Sequence, residues 1–265
     1  MPEINEAYAP GTPCWVGLTA QDQRAAMDYY GTLFGWTGEV GPAEYGGYAV
    51  MEKDGRAVAG ISPAMASEGQ PEPPPHVWTT FLASDDADAT ARRISDAGGA
   101  VLFGPDAVGT LGRMVVASDA TGAVFGVWDP QDFIGAGRVN EPGSVIWCDC
   151  NTRDLPAAAA FYEAALGLKA HRVDEASGDY LGLFTEAAPD RPVGGVGDMG
   201  DRFPPEVPPH WMTTFAVADL ADTVATHREA NGTVVQEPTR TPWGEMALLV
   251  DPWGAPFGAM QPGGS

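Results

Sequence analysis

A chain of 265 residues, 44% of them hydrophobic, is long enough for one large domain or two of about 130, and too apolar for global disorder. Its 36 acidic against 14 basic residues give a formal net charge of −22, which repels phosphate backbones and anionic lipid, so neither nucleic acid nor membrane is an expected partner. No apolar run reaches the roughly 18 residues of a membrane span, the opening MPEINEAYAPGTP lacks the basic start and apolar core of a secretory signal, and Cys14, Cys148 and Cys150 are too few for a disulfide framework, so a cytoplasmic protein is expected.

In chain order, CWVGLTA (14–20) has the composition of a strand. QDQRAAMDYYGTLFGW (21–36) follows with Ala26, Tyr29, Tyr30 and Leu33 at helical spacing and Gly35 at its end. GGYAVME (46–52) and RAVAGIS (56–62) are short strands. A Pro-rich connector, EGQPEPPPH (68–76), leads into the strand VWTTFLAS (77–84). The helix DDADATARRISDAGG (85–99) carries Ala87, Ala91 and Ile94 as a stripe and closes at Gly98. GRMVVAS (112–118) and AVFGVWD (123–129) complete this half as strands. GAGRVNEPGS (135–144) is Gly-rich, polar and aperiodic, as expected of a domain joint.

The order then repeats. VIWCDCN (145–151) is a strand; LPAAAAFYEAALG (155–167) is a helix with Pro156 in its first turn, where proline is tolerated. A second Pro-rich connector (197–210) leads into WMTTFAVA and the helix LADTVATHREANG. Trp15 and Trp147, Tyr30 and Tyr162, Gly35 and Gly167, Asp119 and Asp251, Gly122 and Gly254, and Phe125 and Phe257 are each 132 positions apart. The octets PPHVWTTF (74–81) and PPHWMTTF (208–215) match at 134. Such internal periodicity predicts two homologous domains, 9–134 and 142–263, each reading βαβββ-βαβββ.

Paired βαβββ modules, an aromatic pair (Tyr29-Tyr30, Phe161-Tyr162) on each first helix, and a late D-x-x-G before the last strand resemble the vicinal oxygen chelate superfamily of glyoxalases, bleomycin-resistance proteins and extradiol dioxygenases. The resemblance covers nearly the whole chain in tandem, as in actinobacterial glyoxalase/bleomycin-resistance-type proteins. It implies an α+β fold of four βαβββ modules paired into two eight-stranded, cup-shaped sheets that take ligands on the concave face. Pairing within or between halves stays open, and with it a monomer or a homodimer.

Carried onto this sequence, the superfamily's metal-ligand positions fall on Trp15, Trp78 and Gly126 in the first half and on Trp147, Met212 and Gly258 in the second. None carries a side chain suited to a hard or borderline divalent cation, so no metal and no other cofactor is expected. Strand alternation from these positions gives a first cup of Trp15, His76, Trp78, Thr80, Val124 and Trp128. It gives a second of Trp147, Asp149, His210, Met212, Thr214 and Met260. Converging indoles suit a small apolar, aromatic partner, or they fill the cups as core. Trp15, Trp78, Thr80, Trp128, Trp147, Met212, Thr214 and Met260 are therefore the candidate ligand contacts. Asp149, His210 and His76 are the candidate acid–base groups, with both histidines expected at the concave rim. The cysteines are expected to point away from the cups as inert thiols. The expected function is metal-independent binding of an aromatic small molecule. The alternatives are a metal-free isomerase, cyclase or lyase acting on a natural-product intermediate, or a metal-dependent glyoxalase or dioxygenase with unusual ligands.

Overall fold

A computed structural model describes residues 4–65, 74–173 and 178–263. The first half runs β1 (Pro13–Ala20), α1 (Gln23–Phe34), β2 (Ala49–Lys53), β3 (Arg56–Pro63), β4 (Val77–Ala83), α2 (Ala87–Asp96), β5 (Ala100–Val108), β6 (Gly112–Ser118) and β7 (Val124–Pro130). The second runs β8 (Val145–Thr152), α3 (Leu155–Leu166), β9 (Lys169–His171), β10 (Tyr180–Phe184), β11 (Gly194–Asp198), β12 (His210–Ala216), α4 (Leu220–Glu229), β13 (Thr233–Thr241), β14 (Gly244–Val250) and β15 (Pro256–Pro262). Each helix starts at an aspartate, Asp22, Asp86, Asp154 or Asp219, whose side chain accepts a backbone N–H three residues on. The first helix of each half closes on a left-handed glycine, Gly35 or Gly167.

Strand order is β2-β3-β1-β4-β7-β6-β5 in one sheet and β13-β14-β15-β12-β8-β11-β10-β9 in the other. Modules therefore pair within each half, through antiparallel β1–β4 and β8–β12. The first sheet has seven strands rather than the expected eight. Where the second half forms β9, the first half makes a single bridge, Thr37 to Glu52. The segment after that bridge carries Gly38, Gly41 and Pro42, a composition that does not sustain a ladder.

The two sheets share one hydrophobic core drawn from both halves. Helix α2 packs on α3, α1 packs on α4, and β4 meets β12 at the centre. There the hydroxyls of Thr80 and Thr213 lie 3.3 Å apart. Polar bonds cross the joint as a near-symmetric pair. Tyr30 donates to Asp251 and Tyr162 donates to Asp119, each at 2.9 Å. Trp78 donates to the Tyr30 hydroxyl and Trp211 to that of Tyr162, at 3.0 and 2.8 Å. Each aspartate also accepts two backbone N–H groups of its own turn: Thr121 and Ala123, or Trp253 and Ala255. The D-x-x-G turn and the helical tyrosine are thus the devices that lock the halves together.

These bonds correct the placement of three residues. Trp78 corresponds to Trp211, so β4 and β12 match at 133, not at the 134 of the duplicated octets. A shift of one residue reverses which face every side chain takes. His76, Trp78 and Thr80 accordingly point into the shared core and away from the cup. His76 is buried, with Nε2 2.7 Å from Asp251 Oδ2 and Nδ1 accepting from the Gln21 N–H at 3.4 Å. A second correction concerns Cys14. It sits at a register shift in β1 and packs with Trp15, Ala83, Trp128 and Ala136, while Cys148 and Cys150 join the shared core as expected. All three thiols are free and buried; burial pushes that of Cys148 up to about 12.

Candidate functional site in the C-terminal cup

The outward faces of the two sheets began as copies and have diverged. In each, a tryptophan of the first strand donates to a tyrosine hydroxyl: Trp15 to Tyr48 at 2.7 Å and Trp147 to Tyr180 at 2.9 Å. Each tyrosine lies over a glycine, Gly60 or Gly195, where an added Cβ would strike the phenol ring. Tyr48 and Tyr180 were not singled out from the sequence, although their spacing of 132 is that of the other repeat anchors.

In the N-terminal cup the remaining space is filled. Phe81 lies across Gly126. Phe133, from the segment after β7, packs edge-on against Trp15 at 4.9 Å and Trp128 at 6.1 Å, and its carbonyl accepts from Trp128 Nε1 at 2.7 Å. Ala136, in the same segment, accepts the Tyr8 hydroxyl at its carbonyl at 2.6 Å. Trp15 and Trp128 are only 6% and 7% exposed, as members of a compact secondary core. Val124, the first residue of β7, is 44% exposed and is not part of that secondary core.

In the C-terminal cup three positions carry a smaller or more polar side chain than their counterparts. Asp149 stands where the first half has Gly17, and each pairs with its own cross-strand neighbour, Met212 or Thr79. Thr214 stands where the first half has Phe81, beside Gly258 instead of Gly126. Met260 replaces Trp128. Met212 and Met260 are buried yet belong to no hydrophobic cluster of the described residues. The structure thus brings Trp147, Asp149, His210, Met212, Thr214 and Met260 onto one face.

Asp149 is the chemical centre of that face. Its Oδ1 accepts both Tyr180 OH, at 2.6 Å, and Trp147 Nε1, at 2.8 Å. Burial raises its pKa above the ordinary carboxylate value, while the Tyr180 and Trp147 donors and the charge of Arg202 oppose the rise. His210 lies on the adjacent strand, two residues from the Asp149 partner Met212. Its Nδ1 is 2.9 Å from the Pro208 carbonyl, and Phe203 packs edge-on against the ring at 5.4 Å. Burial lowers the His210 pKa, against the pull of that carbonyl, and so favours the neutral ring. The connector 197–210 therefore shapes the rim: Arg153 pins it through the carbonyls of Pro204 and Val207. Its counterpart connector falls largely on 66–73, outside the described residues. The opposite charges at the matched positions Arg113 and Glu245 serve local structure: Arg113 pairs with Asp88 on α2 and Glu245 with Arg240 on the neighbouring strand. Open depressions of about 290 Å³ beside Arg240–Glu245 and about 510 Å³ beside Arg24 and Gly38 lie elsewhere and gather no comparable set of groups.

The family model described as "Glyoxalase/Bleomycin resistance protein/Dioxygenase superfamily" matches residues 14–127 and again 144–258. The chain belongs to this superfamily. Among superfamily relatives, a Mycobacterium tuberculosis protein named "Putative glyoxylase CFP32" is 39% identical over 99% of this chain and 98% of its own length. The anthracycline biosynthesis protein DnrV of Streptomyces peucetius is 38% identical over 96% of this chain and 94% of its own. The fold is also that of the Mn(II)-bound glyoxalase from Novosphingobium aromaticivorans, with a TM-score of 0.62 at 15% identity, covering 94% of this chain and 82% of that one.

Superfamily folds of this kind include metal-bound ones, so the fit of a cation to these residues matters. It is poor in both cups. Trp15 and Trp147 offer indoles, and both indole N–H groups are spent on hydrogen bonds. A glutamate at Gly126 or Gly258 would collide with Phe81 or Thr214. Trp78 is in the core and Met212 is a thioether. Among the described residues no three His, Cys, Asp or Glu side chains gather at one point. A lone carboxylate with one oxygen already doubly hydrogen-bonded is not a ligand set for Zn, Mn or Fe.

Proposed function

We propose that this superfamily member is a metal-independent binder of a planar aromatic small molecule, held in the C-terminal cup by contact and hydrogen bonding. The observation that carries the reading is the divergence of two copied faces. The same Trp–Tyr pair is buried under Phe81 and Phe133 in one, and is joined by a carboxylate and flanked by Thr214 and Met260 in the other. A half-buried carboxylate with a raised pKa costs stability, and such perturbed groups cluster at functional sites. Apolar, adaptable walls of Trp147, Met212 and Met260 suit a flat ring system. Relatives named for anthracycline biosynthesis accord with a polycyclic aromatic ligand. Acid–base catalysis on such a ligand by Asp149 and His210 is the second reading, favoured by their adjacency on β8 and β12. His76 takes no part in either, being sealed against Asp251 in the joint. The protein is read as cytoplasmic, monomeric or homodimeric; among the described residues no helix is long and apolar enough to cross a membrane.

Titration with N-phenyl-1-naphthylamine, followed by tryptophan quenching, tests the assignment. Thr214→Phe, which copies the plug of the first cup into the second, abolishes binding; Trp128→Phe leaves it unchanged. Loss of binding on altering Trp128 but not Thr214 would move the site to the other cup.

A further inference from the structure

We propose that the C-terminal cup selects a planar aromatic molecule with hydroxyl donors at its two ends, one given to Asp149 Oδ2 and the other to His210 Nε2. This rests on the reading that the C-terminal cup is the ligand site, and it follows from where the donors of that cup are already spent. Trp147 Nε1 and Tyr180 OH both donate to Asp149 Oδ1. Oδ2 receives no donor among the described residues, and no polar atom there is both buried and unpartnered, so Oδ2 opens onto the cup.

His210 is fixed by the same bookkeeping. A carbonyl only accepts, so the nitrogen facing the Pro208 oxygen at 2.9 Å carries the ring proton. In the neutral ring Nε2 then keeps its lone pair, and it too has no partner among the described residues. His210 shares the outward face of β12 with Met212 and Thr214, and Met212 is directly opposite Asp149. The two bare acceptors are therefore diagonal neighbours across an antiparallel pair, about 7–8 Å apart at the backbone. A ligand that satisfies both must therefore carry two separate donors, one for each strand. Of the other polar groups nearby, Arg202 donates to the Asp198 carbonyl at the exposed rim. Asn151, opposite His210, can donate or accept and does not offset the bias. Thr214 adds one hydroxyl that can likewise donate or accept, and the remaining walls, Trp147, Met212 and Met260, are mainly apolar, so a ligand that brings only acceptors would leave Oδ2 desolvated and unmatched.

Calorimetric titration of 2,6-dihydroxynaphthalene against 2,6-dimethoxynaphthalene decides it. The diol is expected to bind at least about tenfold more tightly, since one matched charged hydrogen bond is worth roughly that factor. In Asp149→Asn the amide oxygen keeps the Trp147 and Tyr180 bonds and the amide nitrogen faces the cup, turning an acceptor into a donor. The preference should then narrow or invert, with the dimethoxy compound gaining. His210→Phe should weaken the diol about threefold or more and leave the dimethoxy compound unchanged. Equal affinity of the two compounds in the wild-type protein, or an equal loss of both in Asp149→Asn, would overturn the inference while leaving the site in place. Failure of both compounds to bind the wild-type protein would remove the site itself.

Discussion

At the scale of single residues, two aspartates show how environment sets role. Asp251 is buried at the joint. Burial works to raise its pKa, but His76, the Ala255 N–H and the Tyr30 hydroxyl outweigh it, and the net shift is downward. A carboxyl lowered by folding adds stability above its unfolded pKa and loses that contribution as pH falls through the folded value. Asp251→Asn is expected to cost on the order of 3 kcal/mol at pH 7, because it leaves His76 and Tyr30 facing a weaker acceptor in a dry interface. Asp149 is the reverse case. Its folded pKa lies above the unfolded one, so stability falls as pH rises through that interval and the cost is complete above the folded value. Asp149→Asn should therefore raise Tm at pH 7, with a gain that shrinks as pH is lowered towards the unfolded carboxyl value. Thermal melts of both variants between pH 4 and 8 check the signs. A lower Tm for Asp149→Asn at neutral pH would mean that the carboxylate is structural. The sequence pointed to Asp149, since a charge among alternating apolar residues is conspicuous. It could not reveal Tyr180 as its partner, because the contact depends on Gly195 making room for the ring.

At the scale of elements, β4 and β12 show the limit of letter matching. Their octets share six of eight letters at a spacing of 134, yet Trp78 and Trp211 play the same part at 133. Strand side chains alternate with period two, so an error of one residue moves a whole set between core and cup. His76 and His210, which look like copies, consequently lie on opposite faces of their sheets. Helices and their closing glycines were legible because apolar spacing and Gly at the end act locally. The weakened eighth strand of the first sheet was not legible, because strand survival depends on a partner elsewhere in the chain. The segment after β7 is a comparable case: nothing in QDFIGAG announces that Phe133 plugs a cup. Phe133→Ala should remove that plug and cost about 2–4 kcal/mol through a cavity against Trp15 and Trp128. Denaturant unfolding measures it; a loss below about 0.5 kcal/mol would show the segment to be a surface strap.

At the scale of the whole molecule, duplication produced a joint and two unequal faces. The repeat and the superfamily resemblance disclosed the tandem fold, but not that the halves exchange bonds so deeply. Tyr30, Trp78 and His76 depend on Asp251, and Tyr162 and Trp211 on Asp119, so each half supplies buried partners to the other. Scanning calorimetry should accordingly give one cooperative transition for the full chain. Two separated transitions would show that each half is stable without the other. The faces are unequal: one is sealed by its own residues, while the other presents a carboxylate beside two methionines. The proposed hold on a ligand is by surface match and hydrogen bonds, with no cation to complete it. The most direct measurement is calorimetric binding of 2,6-dihydroxynaphthalene to protein whose metal content is known, before and after treatment with EDTA. One site per chain, with unchanged affinity after chelation, is the predicted result. Binding that disappears with EDTA and returns with a stoichiometric divalent ion would contradict it.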